Sequence, residues 1–172
     1  MFCNSRSASK EELALYLAAT PDDTTLLVQN YSQTELPDLP DSLTSLRLYH
    51  CPSLTALPKL PQSLNDLWIH NCPNLAKLPN FPSTLTFLLI AECMALGELP
   101  AMAEGLKDLR LNLTGVTELP ALPKSLMFLR VVLPGIKNLP ELPSTLERLH
   151  LSGCSGLVGR NVQVGNLRIK ID

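Results

Sequence analysis

The stretch "HCPSLTALPKLPQSLNDLWIHNCPNL", residues 50–75, places Cys51 and Cys72 in two Cys-Pro pairs within nearly identical surroundings, with His50 and His70 close by. Cysteine beside histidine can be a thiolate with its base, and several such residues can hold zinc. Cys93 and Cys154 continue the series at similar places in similar segments. Cysteines that recur once per segment do not gather around one metal, and no C-x-x-C is present. His50 is expected in a turn with Cys51 pointing into a core. Asp66 and Asp108 are the other candidates for chemistry, as paired carboxylates. Two strands apart they are separated by about 10 Å with no pocket between them. A glycine-rich phosphate loop and a dinucleotide fingerprint are both missing from the sequence. The chain therefore reads as no enzyme, with no catalytic residue, no cofactor and no metal site.

The elements that position these residues are repeats. "LPDLPDSLTSLRLYHCPSLTA" (36–56) is followed by "LPKLPQSLNDLWIHNCPNLAK" (57–77) and "LPNFPSTLTFLLIAECMALGE" (78–98). Then come "LPAMAEGLKDLRLNLTGVTE" (99–118), "LPALPKSLMFLRVVLPGIKN" (119–138) and "LPELPSTLERLHLSGCSGLVG" (139–159). These six units, equal in length to within one residue, are flanked by an atypical leading unit (25–35) and a degenerate last one ending "NLRIKID". Each unit carries L-x-x-L-x-L-x-x-C-x-x-L, as in Leu64, Leu67, Ile69, Cys72 and Leu75. The alternating L-x-L is a short strand with one buried face. One unit cannot bury that face alone, so the units must stack. The expected fold is an α/β leucine-rich-repeat solenoid with a parallel concave sheet, its seven strands spanning roughly 30 Å.

The cysteines mark the repeat's Asn/Cys position. In the two shorter units, 99–118 and 119–138, Thr114 and Pro134 stand near that place. Eleven of the fifteen prolines lie in the Leu-Pro-x-Leu-Pro segments, which predicts an extended convex side without helices. Met102-Ala103 replaces Leu-Pro in one unit and predicts a local irregularity. Ser9-x-x-Glu12 is a capping box ahead of Leu13, Tyr16 and Leu17, and Pro21 ends that helix. Residues 1–24 are thus expected as a tail and helical cap, and 25–172 as the solenoid. The C-terminal end shows no comparable cap.

The net charge of −2 does not suit a nucleic-acid binder. The apolar run Leu13–Ala19 is too short for a membrane span or a signal peptide. Five cysteines without an export signal suit a reducing, cytoplasm-like compartment.

The unit "LPxLPxSLxxLxI" resembles the LPX class of bacterial leucine-rich repeats, carried by the YopM and IpaH families of type III secreted effectors. The match covers about residues 8–159. The resemblance implies secretion without a cleaved signal peptide, entry into a host cytoplasm and binding of a host protein. Those families usually carry Asn where this chain has Cys-Pro-x-Leu. The Cys form resembles repeats of plant intracellular immune receptors, so a receptor's recognition domain or a cytosolic scaffold is the alternative. A third reading is the substrate-recognition part of a longer ubiquitin ligase. The ligase nucleophile of IpaH-type effectors sits in Cys-x-Asp, and no cysteine here has Asp two residues on.

The residues interleaved with the buried leucines should face solvent on the concave side. In columns they run Ser45, Asp66, Phe87, Asp108, Phe128, Arg148, Arg168; then Arg47, Trp68, Leu89, Arg110, Arg130, His150, Lys170; then Tyr49, His70, Ala91, Asn112, Val132, Ser152, Asp172. Six of these are Lys or Arg and three are Asp, so the face is basic on an acidic chain. Trp68, Phe87, Leu89 and Phe128 should expose apolar side chains flanked by arginine, the composition of interface hot spots. Arg47, Trp68, Phe87, Leu89, Arg110, Phe128, Arg130 and His150 are the candidate partner-binding residues. The partner expected is a protein with an acidic surface, rather than nucleic acid or membrane.

Overall fold

The computed structural model describes residues 2–4, 8–157 and 168–171, the first and last of these as backbone only. The elements run β1 (Phe2–Asn4), α1 (Lys10–Ala19), β2 (Thr25–Gln29), β3 (Ser45–Tyr49), β4 (Asp66–His70), β5 (Phe87–Ala91), β6 (Asp108–Asn112), β7 (Phe128–Val132), β8 (Arg148–Leu151) and β9 (Arg168–Ile171). All nine strands pair in parallel, in chain order. The register repeats unit by unit: Leu46, Leu67, Leu88, Leu109, Leu129 and Leu149 are successive partners. The fold is a leucine-rich-repeat solenoid. Its described sheet has nine strands against the seven expected, because the leading unit supplies Thr25–Gln29 and Phe2–Asn4 adds one more alongside Leu27–Gln29. A β-strand this short carries no periodicity for sequence to show.

The L-x-L leucines do what their alternation predicts. Leu46, Leu48, Leu67, Ile69, Leu88 and Ile90 are fully buried, and one continuous apolar core runs from Leu13 to Leu151. Among the described residues between β2 and β8 no helix forms, so the convex side is extended chain broken by tight turns. Each Pro-x-Ser/Thr-Leu segment closes one turn before its strand, with Leu43, Leu64, Leu85, Leu126 and Leu146 donating N–H to the proline carbonyl three residues back at 3.0–3.1 Å. The serine or threonine of that turn has its own task. The Ser63 hydroxyl lies 2.6 Å from both Asp41 O and Leu43 O of the preceding unit, and Thr84, Ser125 and Thr145 repeat the contact. Carbonyls that no ladder reaches are thus satisfied by the next unit.

The Met102-Ala103 unit keeps its turn, since Leu106 N–H bonds Ala103 O at 3.1 Å. The irregularity falls two residues later. Gly105 replaces the serine, and a Cβ there would stand 2.7 Å from Ser83 O, so the backbones approach more closely than a side chain allows.

After most strands the chain turns through one left-handed residue: Asn30, His50, Asn71, Glu92, Leu113 and Gly153, with φ between 48° and 60°. The next residue is the inward one. Cys51, Cys72 and Cys93 are fully buried, Thr114 is 6 % exposed and Cys154 is half-buried. The unit after β7 lacks the left-handed residue altogether. Val132 leads directly into Leu133, which is fully buried at the cysteine place, while Pro134 is exposed. This corrects the placing of Pro134: the deletion precedes the inward position, so the corner passes to the residue before the proline.

The α1 helix starts as expected. Ser9 Oγ accepts from Glu12 N–H at 3.1 Å, and Glu12 Oε2 accepts from Ser9 N–H at 2.8 Å. Leu13 and Leu17 are buried in the common core, with Tyr16 packed against it. The chain leaves the helix at Thr20, before Pro21.

Two outcomes follow from these turns. Ser63→Ala leaves Asp41 O and Leu43 O short of a donor and should lower unfolding free energy by about 1–3 kcal/mol, read from urea denaturation. Leu113 is the one aliphatic side chain among the left-handed residues. Leu113→Asn should raise stability by about 1 kcal/mol and shift the melting temperature upward.

Candidate protein-binding face

The sequence's most reactive-looking groups are spent on structure. Each buried thiol donates to the carbonyl two residues back: Cys51 to Tyr49 O at 3.6 Å, Cys72 to His70 O at 3.7 Å and Cys93 to Ala91 O at 3.3 Å. Cys154 lies 3.3 Å from Ser152 O and 3.5 Å from Val131 O. The thiols of Cys51 and then Cys93 flank Cys72, and with burial they push its ionisation well above the ordinary thiol range. His50 is exposed in its turn, with Nδ1 3.0 Å from Asn71 Nδ2, and it presents no base to a thiol. His70 Nε2 lies 3.6 Å from Glu92 Oε1, and its Nδ1 is buried without a hydrogen-bond partner. No group of three His, Cys, Asp or Glu among the described residues is placed to hold a metal.

The concave face carries a continuous array across five strands. Trp68 and Phe87, on neighbouring β4 and β5, stack with centroids 4.7 Å apart and planes at 21°. The Arg47 guanidinium stands 5.2 Å above the Trp68 ring. Arg110 lies between two phenylalanines, 5.3 Å from the Phe87 ring and 4.8 Å from Phe128. The order Arg47, Trp68, Phe87, Arg110, Phe128 therefore interleaves cations and rings along the solenoid, each cation–ring contact favourable through the ring quadrupole. Leu89 sits in the middle of β5, in register with Trp68 and Arg110.

Two carboxylates hold this array in place. Asp66 accepts from Trp68 Nε1 and from Ser45 Oγ, each at 2.7 Å, and from Arg47 at 3.4 Å. Asp108 takes Arg110 in a bidentate pair, Nε at 2.9 Å and a terminal nitrogen at 2.8 Å. That bond first, and then the carboxylate charge, holds the Arg110 guanidinium more firmly protonated than usual. Asp66 with Trp68, and Asp108 with Arg110, are pairs two residues apart on one strand, which puts each pair on the same face. The signal in the sequence is Asp-x-Trp at 66–68 and Asp-x-Arg at 108–110. Weighed as a catalytic pair, the two carboxylates are engaged apart from each other: Asp66 by Trp68 on its own strand and by Ser45 and Arg47 on β3, Asp108 by Arg110 on its own strand.

The four apolar candidates are less open than their positions suggested. Trp68, Phe87, Leu89 and Phe128 are half-buried, the rings because each is covered by a neighbour. Among the described residues the most exposed large apolar side chains lie off this face: Leu15, Met94, Leu113 and Met127. Arg130 and Arg148 are exposed and His150 is half-buried. Arg168 and Lys170 follow in register with Arg148 and His150 as backbone positions, while Asp172 lies outside the described residues.

No protein-family model matches the chain, and no curated protein matches it. Among solved structures it is similar to YopM from Yersinia enterocolitica WA-314, at 25 % identity over 99 % of this chain, with a TM-score of 0.39. This chain covers 52 % of that one, so it spans about half the length of the solved structure it matches. The solenoid assignment rests on the strand register itself. Among the described residues no helix is long and apolar enough to cross a membrane.

The buried Cys72 thiol gives a signed pH prediction. Its ionisation in the folded chain is raised above the unfolded value of 9.0, so the folded state keeps a proton that the unfolded state loses. Its share of stability is present below pH 9 and should be lost above it, at up to about 1.4 kcal/mol per pH unit. Cys51 and Cys93 are shifted the other way by the same contacts with Cys72, so its share should show as a difference: from pH 8 to 10.5 the denaturation midpoint should fall more for the native chain than for Cys72→Ala, each compared with its own value at pH 8.

Proposed function

We propose that the chain is a non-catalytic module that binds a partner protein on its concave face. The observation that carries this is the array Arg47, Trp68, Phe87, Arg110, Phe128, ordered by Asp66 and Asp108 before any partner arrives. Aromatic and arginine side chains held in fixed rotamers lose little entropy on binding, which is what interface anchors require. Leu89, Arg130 and His150 complete the contact surface. The surplus of arginine over aspartate suits an acidic partner surface.

Biologically the reading is a bacterial effector, or the recognition domain of one, acting in a host cytoplasm. The support is the LPX-type repeat unit described above, with α1 and its preceding residues capping the solenoid of residues 25–172. An immune-receptor recognition domain, a cytosolic scaffold and the recognition part of a ubiquitin ligase use the same face. They differ in the domains encoded beside it.

The deciding experiment is affinity capture from eukaryotic lysate with the wild type and with Trp68→Ala/Phe87→Ala/Arg110→Ala, the variant first shown to be folded. A partner held by the wild type should be lost, by at least about thirtyfold in affinity. A partner held equally by both would place the interface elsewhere on the solenoid. Capture from bacterial but not eukaryotic lysate would sink the host-cell reading.

A further inference from the structure

The arginines of the concave face fall into two classes. Arg47 and Arg110 are each tied to a carboxylate on the face and laid over aromatic rings. Beyond β6 the first and middle columns carry no further carboxylate. The first column changes from Asp108 to Phe128 and Arg148, and the middle column runs Arg110, Arg130, His150. Arg130 and Arg148 make no ion pair among the described residues, and both are exposed. Glu147 precedes β8, and its N–H joins the Met127 carbonyl at the strand entrance, outside the columns of the face. Strand β9 adds Arg168 and Lys170 at the next register positions.

We propose that β7 and β8 form an anion subsite for an extended acidic segment of the partner protein. This rests on the concave-face reading and assigns its two ends different tasks. The β3–β6 end is charge-balanced and supplies apolar contact. The β7–β8 end holds guanidinium groups whose donors are still open to carboxylates, each able to engage one in a bidentate pair. Arg148 and His150 are two residues apart on one strand, and Arg130 is the register partner of His150. An extended peptide lying along the strands repeats its own side chains at that same two-residue period. Acidic residues at i and i+2 therefore meet Arg148 and the Arg130–His150 pair together. Phe128, the register partner of Arg148, offers an apolar contact at the border of the subsite.

A nucleic acid would also meet the guanidinium pair, but the subsite covers only two or three strands of a chain with net charge −2. A phosphate backbone draws its affinity from many such contacts, which this face does not offer. A short acidic protein segment needs only these few.

The test uses the full chain and a short labelled peptide of alternating glutamate and valine with one phenylalanine, followed by fluorescence anisotropy. The glutamate peptide should bind, more weakly as salt rises, and its glutamine counterpart at least about tenfold more weakly. Arg130→Gln and Arg148→Gln should each cost roughly tenfold, whereas Lys59→Gln on the convex side should cost nothing. Both arginines are exposed, so the variants should fold, which circular dichroism checks. Equal binding of the two peptides, no binding even at low salt, or full binding by Arg130→Gln/Arg148→Gln would overturn the subsite. So would a single-stranded oligonucleotide bound more tightly through the same arginines. The concave-face reading fails separately, if Trp68→Ala/Phe87→Ala/Arg110→Ala leaves lysate capture unchanged.

Discussion

A single turn of this chain has no way to hide its own leucines, and nearly every other feature follows from that. The strand segment offers two inward side chains per unit, and they become dry only when an identical pair stacks on each side. Stacking at about 4.8 Å per strand demands that every unit return to the same register after each circuit. The return path is where the sequence is constrained. Proline stiffens the convex run, a serine or threonine hydroxyl satisfies the carbonyls of the unit behind it, and one left-handed residue turns the chain out of the sheet. The buried thiols belong to the same geometry. Cysteine is small and apolar enough to fill the inward corner, and its weak donor reaches a nearby carbonyl.

The repeat is legible in the sequence because it is periodic. A Leu-x-Leu pattern recurring once in every unit predicts strand positions closely, and β3 through β8 lie where it places them. The helix start is legible for a different reason: the Ser9–Glu12 capping box is a local device that needs no tertiary context. What sequence does not show is aperiodic. The only signature of β1 is a neighbour to pair with. The missing residue after β7 could be put at several places in the unit, and only burial shows that Leu133 takes the inward corner. The hydroxyl ladder is written in every "PxS" or "PxT" yet does not announce itself, because its acceptors lie a whole unit back along the chain.

The concave face shows the same division. Alternation alone names which side chains share it, but alternation says nothing of what they do to one another. Expected as open apolar groups beside arginines, the rings instead cover each other and are covered by the arginines. The register explains it: Arg47 and Trp68 are direct partners in the middle column, while Phe87 and Phe128 stand in the first column, diagonal to Trp68 and Arg110 and within reach of such long side chains. A face built this way is ordered by the same register that builds the core.

That order has a consequence for charge. A guanidinium over a ring, with a carboxylate beside it on the face, has already spent its strongest contacts, and an incoming partner gains mainly apolar area there. A guanidinium with neither has kept them. Asp66 and Asp108 therefore do more than offset two arginines. By standing on β4 and β6 and nowhere later in the first column, they leave the charge surplus of the described face at β7 and β8. Two substitutions in one column would be enough to move it. The inward leucines are bound to the stacking, while the outward columns can change one residue at a time, so the scaffold and its choice of partner vary independently.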